Sequence, residues 1–124
     1  MARILVIEDE GDIRGLYSRI LKNAGHDVIE APDGKVGINL YRENPADLVI
    51  TDIIMPEKEG IELIIELRGD FPDVKIIAVS GGGQFMASAT CLSLAKGLGA
   101  VRTLTKPFSQ QELVDTVREV LDAK

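Results

Sequence analysis

Five short runs of β-branched and aliphatic residues recur along the chain, and a segment with helical spacing follows each of them. The runs fall at residues 3–7, 27–30, 47–51, 75–79 and 100–104. The helical segments cover about 12–24, 34–43, 59–68, 86–96 and 109–121. Ile13, Leu16, Tyr17, Ile20 and Leu21 give the first segment its apolar stripe, and Ile61, Leu63, Ile64, Ile65 and Leu67 give the third its own. Strict strand–helix alternation implies an α/β domain, a doubly wound parallel five-stranded sheet with helices on both faces. The middle runs are apolar at successive positions, as strands buried on both sides must be.

The punctuation agrees with this division. Gly25, Asn44-Pro45, Gly69 and Gly97 read as stops for the first four helices. Ser109 and Glu112 are spaced as a capping box at the start of the fifth. At 124 residues the chain is long enough for one domain and short for two. The reading is therefore a single domain over residues 1–124, with no output domain in this chain.

Composition narrows the function classes. The formal net charge of −6 argues against a non-specific nucleic-acid or anionic-membrane surface, which needs clustered Lys and Arg. No apolar stretch approaches the ~20 residues of a membrane span. One cysteine, Cys91, forms no intrachain disulfide and fits a reducing cytoplasm; it reads as a small packed side chain. His26, in a Gly-His-Asp turn, reads as a surface turn residue.

Polar groups of complementary kinds stand at the ends of the apolar runs. Glu8 and Asp9 follow the first, Asp52 the third, Ser80 the fourth and Lys106 the fifth. In open α/β sheets the carboxyl ends of strands are where ligands and chemistry sit. Three acids brought together there are costly unless a cation neutralises them or one is protonated. A nucleophilic carboxylate, a hydroxyl, an ammonium and an oxygen-bound divalent cation together suit phosphoryl transfer.

With these residues in order, the chain resembles the receiver domain of two-component response regulators, including its stand-alone chemotaxis-regulator-like members. Glu8-Asp9, Asp52 with Met55-Pro56 and Gly60, Ser80-Gly81 and Lys106-Pro107-Phe108 carry the resemblance. It implies the flavodoxin-like (βα)5 fold with strand order 2-1-3-4-5. It implies that Asp52 accepts a phosphoryl group from a histidine kinase or histidine phosphotransfer protein. Mg²⁺ would be held by Glu8, Asp9, Asp52 and the backbone carbonyl of Ile54, while Ser80 and Lys106 contact the phosphoryl group. The implied protein is bacterial and cytoplasmic, a switch rather than an enzyme, with possible autophosphatase activity. Its output would leave through the face made by helix four, strand five and helix five, to a downstream protein target. It would be a monomer or a phosphorylation-dependent dimer.

Three departures from the family pattern stand out. Thr103 occupies the position, three before the lysine, where the family usually has an aromatic residue. Ile54 and Gly82 lie two positions after Asp52 and Ser80, where the family often flanks the hydrolytic water; apolar Ile54 implies slow self-dephosphorylation. Gly81-Gly82-Gly83 introduces an unusually glycine-rich stretch before helix four. Two rivals compete with the switch. One is a phosphorylation-independent binding module. The other is a Mg²⁺-dependent aspartyl phosphohydrolase, disfavoured because Ile54 stands where such enzymes often place a second acid. A flavodoxin is more distant still, since Glu8-Asp9-Glu10-Gly11 replaces a hydroxyl-rich phosphate loop.

Overall fold

The structure is a computed structural model that describes residues 2–52, 60–80, 101–105 and 108–122. The elements run β1 (Arg3–Ile7), α1 (Gly11–Asn23), β2 (Asp27–Ala31), α2 (Gly34–Glu43), β3 (Leu48–Asp52), α3 (Gly60–Asp70), β4 (Ile76–Ser80), β5 (Arg102–Thr105) and α4 (Gln110–Asp122). The helix α4 is the fifth helical segment of the sequence; the expected fourth, at 86–96, lies outside the described residues, as does the glycine stretch before it.

All five strands are parallel, in the order β2-β1-β3-β4-β5. The doubly wound fold expected from the alternation is therefore the fold found. Alternation of side chains along each strand divides the core in two. Leu5, Ile7, Val49, Ile76 and Ala78 pack under α2 and α3 with Ile38, Tyr41, Leu63, Ile64 and Leu67. Ile4, Val6, Leu48, Ile50, Ile77 and Val79 pack under α1 and α4 with Tyr17, Leu21, Leu113 and Val117. Every residue of β3 is buried, including Asp52 at its end.

Helix ends follow the local chemistry. After α1 the amide of Gly25 donates to Lys22 O and that of His26 to Leu21 O, the paired bonds of a Schellman turn. Gly25 has φ +98°, a conformation that a residue with a Cβ rarely adopts. Asp33 caps α2 by accepting the Val36 amide at 2.9 Å. The expected capping box at α4 is present: the Glu112 amide donates to Ser109 Oγ at 3.0 Å, and the Ser109 amide to Glu112 Oε1 at 3.2 Å.

Three sequence expectations need correction. Gly69 does not stop α3, which runs on to Asp70. The stop is Pro72, whose ring disfavours helical backbone at Phe71. The third and fourth strands sit one residue later than expected, and the fifth runs from 102 to 105 instead of 100 to 104. At the third, Asp47 is spent on the preceding turn, its amide donating to Arg3 O and its Oδ2 accepting the Arg3 amide. His26 is half-buried rather than a surface residue, and its Nδ1 accepts the Ala2 amide at 3.3 Å.

Candidate phosphoacceptor and metal site

Strand β1 pairs with β3 in a register that sets Ile7 beside Thr51. The next residues on the two strands are Glu8 and Asp52, so the sheet itself brings these carboxylates to one edge. Asp9 follows in the turn. One carboxylate oxygen from each of Glu8, Asp9 and Asp52 lies within 4.8 Å of the others. Glu8 and Asp52 are buried and Asp9 is exposed, so the cluster has an inner wall and an open side.

The turn that carries Glu8 and Asp9 is tied down from several directions. The Glu8 amide donates to Ala31 O at the end of β2. Glu8 Oε2 accepts the Glu10 amide at 3.1 Å, folding the side chain back over its own turn. Glu10 is the N-cap of α1 and makes no side-chain cap bond. Arg14, one turn into α1, donates from Nη1 to the Glu8 carbonyl at 2.7 Å and pairs through Nε with Glu30 Oε1 at 3.4 Å. On the other strand the buried Thr51 hydroxyl donates to the Asp52 carbonyl.

Of the expected site residues, the structure brings together Glu8, Asp9 and Asp52. Ser80 ends β4, one step beyond the Asp52–Val79 pair, so its backbone lies at the same edge. Its partner on β5 is Thr105, the residue before Lys106. The side chain of Ser80, and Ile54, Lys106 and Pro107 altogether, lie outside the described residues. Thr103 is half-buried on β5 beside Ala78. Phe108 stacks on Tyr17 of α1 with ring centroids 5.5 Å apart, which anchors the chain just after Lys106-Pro107 to the α1 side of the core. Arg14 is the residue that sequence reasoning missed. Its place on α1 could have been read, but its reach to the Glu8 carbonyl depends on how α1 crosses β1.

Among the described residues the donor set is three carboxylates, two of them buried. That chemistry fits a hard divalent cation such as Mg²⁺ and not a soft metal, which would ask for thiolate or imidazole.

The family model for the response regulator receiver domain matches residues 4–118. The chain belongs to that family. A probable transcriptional regulatory protein of Picosynechococcus is 39% identical over 97% of this receiver. The receiver spans 49% of that relative, about half its length. The response regulator receiver protein CpdR of Brucella abortus is 32% identical, over 99% of both chains. The crystal structure of a response regulator receiver domain protein from Clostridium thermocellum superposes with a TM-score of 0.88 at 30% identity, covering 98% of this receiver and 95% of that chain. The function is that of a two-component response regulator receiver, and receiver domains of this family are signalling switches. Among the described residues of the receiver, no helix is long and apolar enough to cross a membrane.

Proposed function

We propose that the receiver works as one domain over residues 1–124 and takes a phosphoryl group on Asp52 from a histidine kinase or histidine phosphotransfer protein. The observation that carries this reading is the convergence of Glu8, Asp9 and Asp52 within 4.8 Å at the carboxyl ends of two paired strands. A carboxylate oxygen of Asp52 forms the new O–P bond as the N–P bond of the donor phosphohistidine breaks. The electron pair of that bond leaves with the imidazole.

Asp9 and Asp52, with Glu8 and the Ile54 backbone carbonyl, would hold Mg²⁺. When bound, the ion supplies the positive charge that offsets both the acidic cluster and the transferring phosphoryl group. Burial on the inner side holds Asp52 in one orientation, and the Glu10 amide holds Glu8. The Lys106 ammonium and the Ser80 hydroxyl each pair with a phosphoryl oxygen. Ile54 orients the hydrolytic water poorly, so self-dephosphorylation is slow; an Ile54→Asn variant loses phosphate faster. The signal leaves through the face of the 86–96 segment, β5 and α4 to a downstream protein in the cytoplasm, the receiver remaining monomeric or pairing on phosphorylation.

The test is intact mass after incubation with acetyl phosphate, with and without Mg²⁺, on wild type and Asp52→Ala. A Mg²⁺-dependent gain of one phosphoryl group, absent in the variant, supports the reading. No gain with folded protein points instead to a phosphorylation-independent binding module. A gain that survives in Asp52→Ala moves the acceptor elsewhere.

A further inference from the structure

Among the described residues of the proposed metal site, Glu8 and Asp9 are the ones whose backbone belongs to no strand or helix. Asp52 is fixed by the β3 ladder, whereas Glu8 and Asp9 must be aimed by whatever holds that turn. The Glu8 amide bond to Ala31 O anchors the turn's beginning and the Glu10 carbonyl, bonded by the Arg14 amide, anchors its end. Between them the Glu8 carbonyl is the next acceptor, and the Arg14 guanidinium takes it at 2.7 Å.

The same guanidinium pairs with Glu30 on β2. Arg14 is therefore a strut with three footings: α1 through its own backbone, β2 through Glu30, and the acid-bearing turn through the Glu8 carbonyl. Its side chain is 21% exposed and that of Glu30 40%, so the strut is only partly open to water. A lysine in its place offers a single ammonium and cannot present a planar fork to two acceptors in different directions. Charge has a second effect. A guanidinium bonded at the turn lowers the cost of assembling three carboxylates there before any cation arrives.

We propose that Arg14 is a positioning residue for the metal site: by bridging the Glu8 carbonyl to Glu30 it aims the Glu8-Asp9 turn at Asp52 and so sets the affinity for Mg²⁺. This rests on the reading of the acidic cluster as a Mg²⁺ site. It assigns Arg14 no contact with the phosphoryl group. Removing residues that orient metal ligands typically lowers metal affinity about 10-fold to 100-fold, and the lower end applies to a residue that acts through a backbone carbonyl.

The experiment measures Mg²⁺ binding calorimetrically on the unphosphorylated full chain, so that acceptor chemistry does not enter. Wild type, Arg14→Gln, Arg14→Lys and Val117→Ala are compared. Val117 is a buried residue of α4, in the core on the α1 side, and serves as a stability control. The expected result is a rise in Kd of about tenfold for Arg14→Gln, a smaller rise for Arg14→Lys, and no change for Val117→Ala. Amide exchange at Glu10 quickens in Arg14→Gln and not in the control. If wild type binds Mg²⁺ and Arg14→Gln binds it within about twofold, the inference fails while the metal site stands. Equal weakening in Val117→Ala also overturns it, because the effect is then one of global stability. Should Arg14→Gln not fold, Arg14→Lys decides: a wild-type Kd there ends the idea, and a raised Kd with an unmoved control supports it. No Mg²⁺ binding by wild type removes the metal site itself and this inference with it.

Discussion

Gly37 of α2 lies directly against Ile7, the last residue of β1: a Cβ at position 37 would come within 2.8 Å of Ile7 Cγ1. Ile7 is buried and stands immediately before Glu8, so this contact sets how closely α2 approaches the strand that delivers the acids. Gly37→Ala gains helix propensity of roughly 0.5–1 kcal/mol but overpacks the core, and overpacking typically costs about 1–3 kcal/mol. The expected net result is a loss of about 1 kcal/mol, read as a lower urea midpoint. Gly69 gives the opposite sign. It lies inside α3 with nothing within 4 Å of an added Cβ, so Gly69→Ala raises stability by about 0.5–1 kcal/mol. Equal effects at the two sites would show that α2 does not seat on Ile7 as described.

Ser18 is a different kind of exception. It is 3% exposed on α1, and its Oγ has no hydrogen-bond partner among the described residues. A buried hydroxyl left unbonded costs about 1–3 kcal/mol of desolvation. Alanine removes that cost and is the better helix former. Ser18→Ala is therefore expected to be neutral or stabilising by up to about 1 kcal/mol, whereas most buried substitutions destabilise. A fall in Tm would mean that the hydroxyl has a partner in solution.

Tyr41 makes stability depend on alkaline pH. Burial pushes its phenol above the usual value of 10.0, and the carboxylates of Asp47 and Asp73 push it further the same way. Because the folded state holds this proton more tightly, the stabilisation is full below the unfolded value near 10 and is lost as pH rises through the folded value. Tyr41→Phe removes the linkage. Chemical denaturation between pH 9 and 11 is expected to show a steeper fall for wild type than for the variant. Parallel curves would place Tyr41 in a more open setting than its contact with Phe71 describes.

Most of the architecture was legible because the signals were local. The capping box at Ser109 and Glu112, the Gly25 stop and the apolar periodicity each act within a few residues. Gly69 misled because a glycine is a strong stop only where the backbone needs positive φ, and here the pre-proline position two residues on ended the helix instead. The convergence of Glu8, Asp9 and Asp52 was foreseeable only through the pairing of β1 with β3, which a parallel sheet makes plausible and the ladder fixes. Arg14 was illegible for the converse reason. Its role depends on a carbonyl, which every residue has, and on the angle at which α1 leaves the sheet. The half-buried His26 was missed because its partner, the Ala2 amide, is 24 residues away.

The acidic cluster should couple Mg²⁺ to stability in a way that a single substitution can separate. Glu8 and Asp52 are buried while Asp9 faces outward, so Asp9 can be neutralised with the least disturbance of packing. Asp9→Asn keeps the shape and removes one of three like charges, which favours the metal-free fold. It also removes a ligand oxygen's charge, which weakens Mg²⁺ binding. In wild type, free Mg²⁺ at ten times its Kd is expected to stabilise by about 1.4 kcal/mol, because only the folded state assembles the site. The two effects predict that thermal curves cross over: without Mg²⁺ the Asp9→Asn protein melts at or above the wild-type temperature, and with Mg²⁺ wild type gains and the variant does not. Calcium-free buffers with and without Mg²⁺, monitored by circular dichroism, give the comparison. If the variant keeps the full Mg²⁺ shift, the ion is held somewhere other than the edge where β1 meets β3.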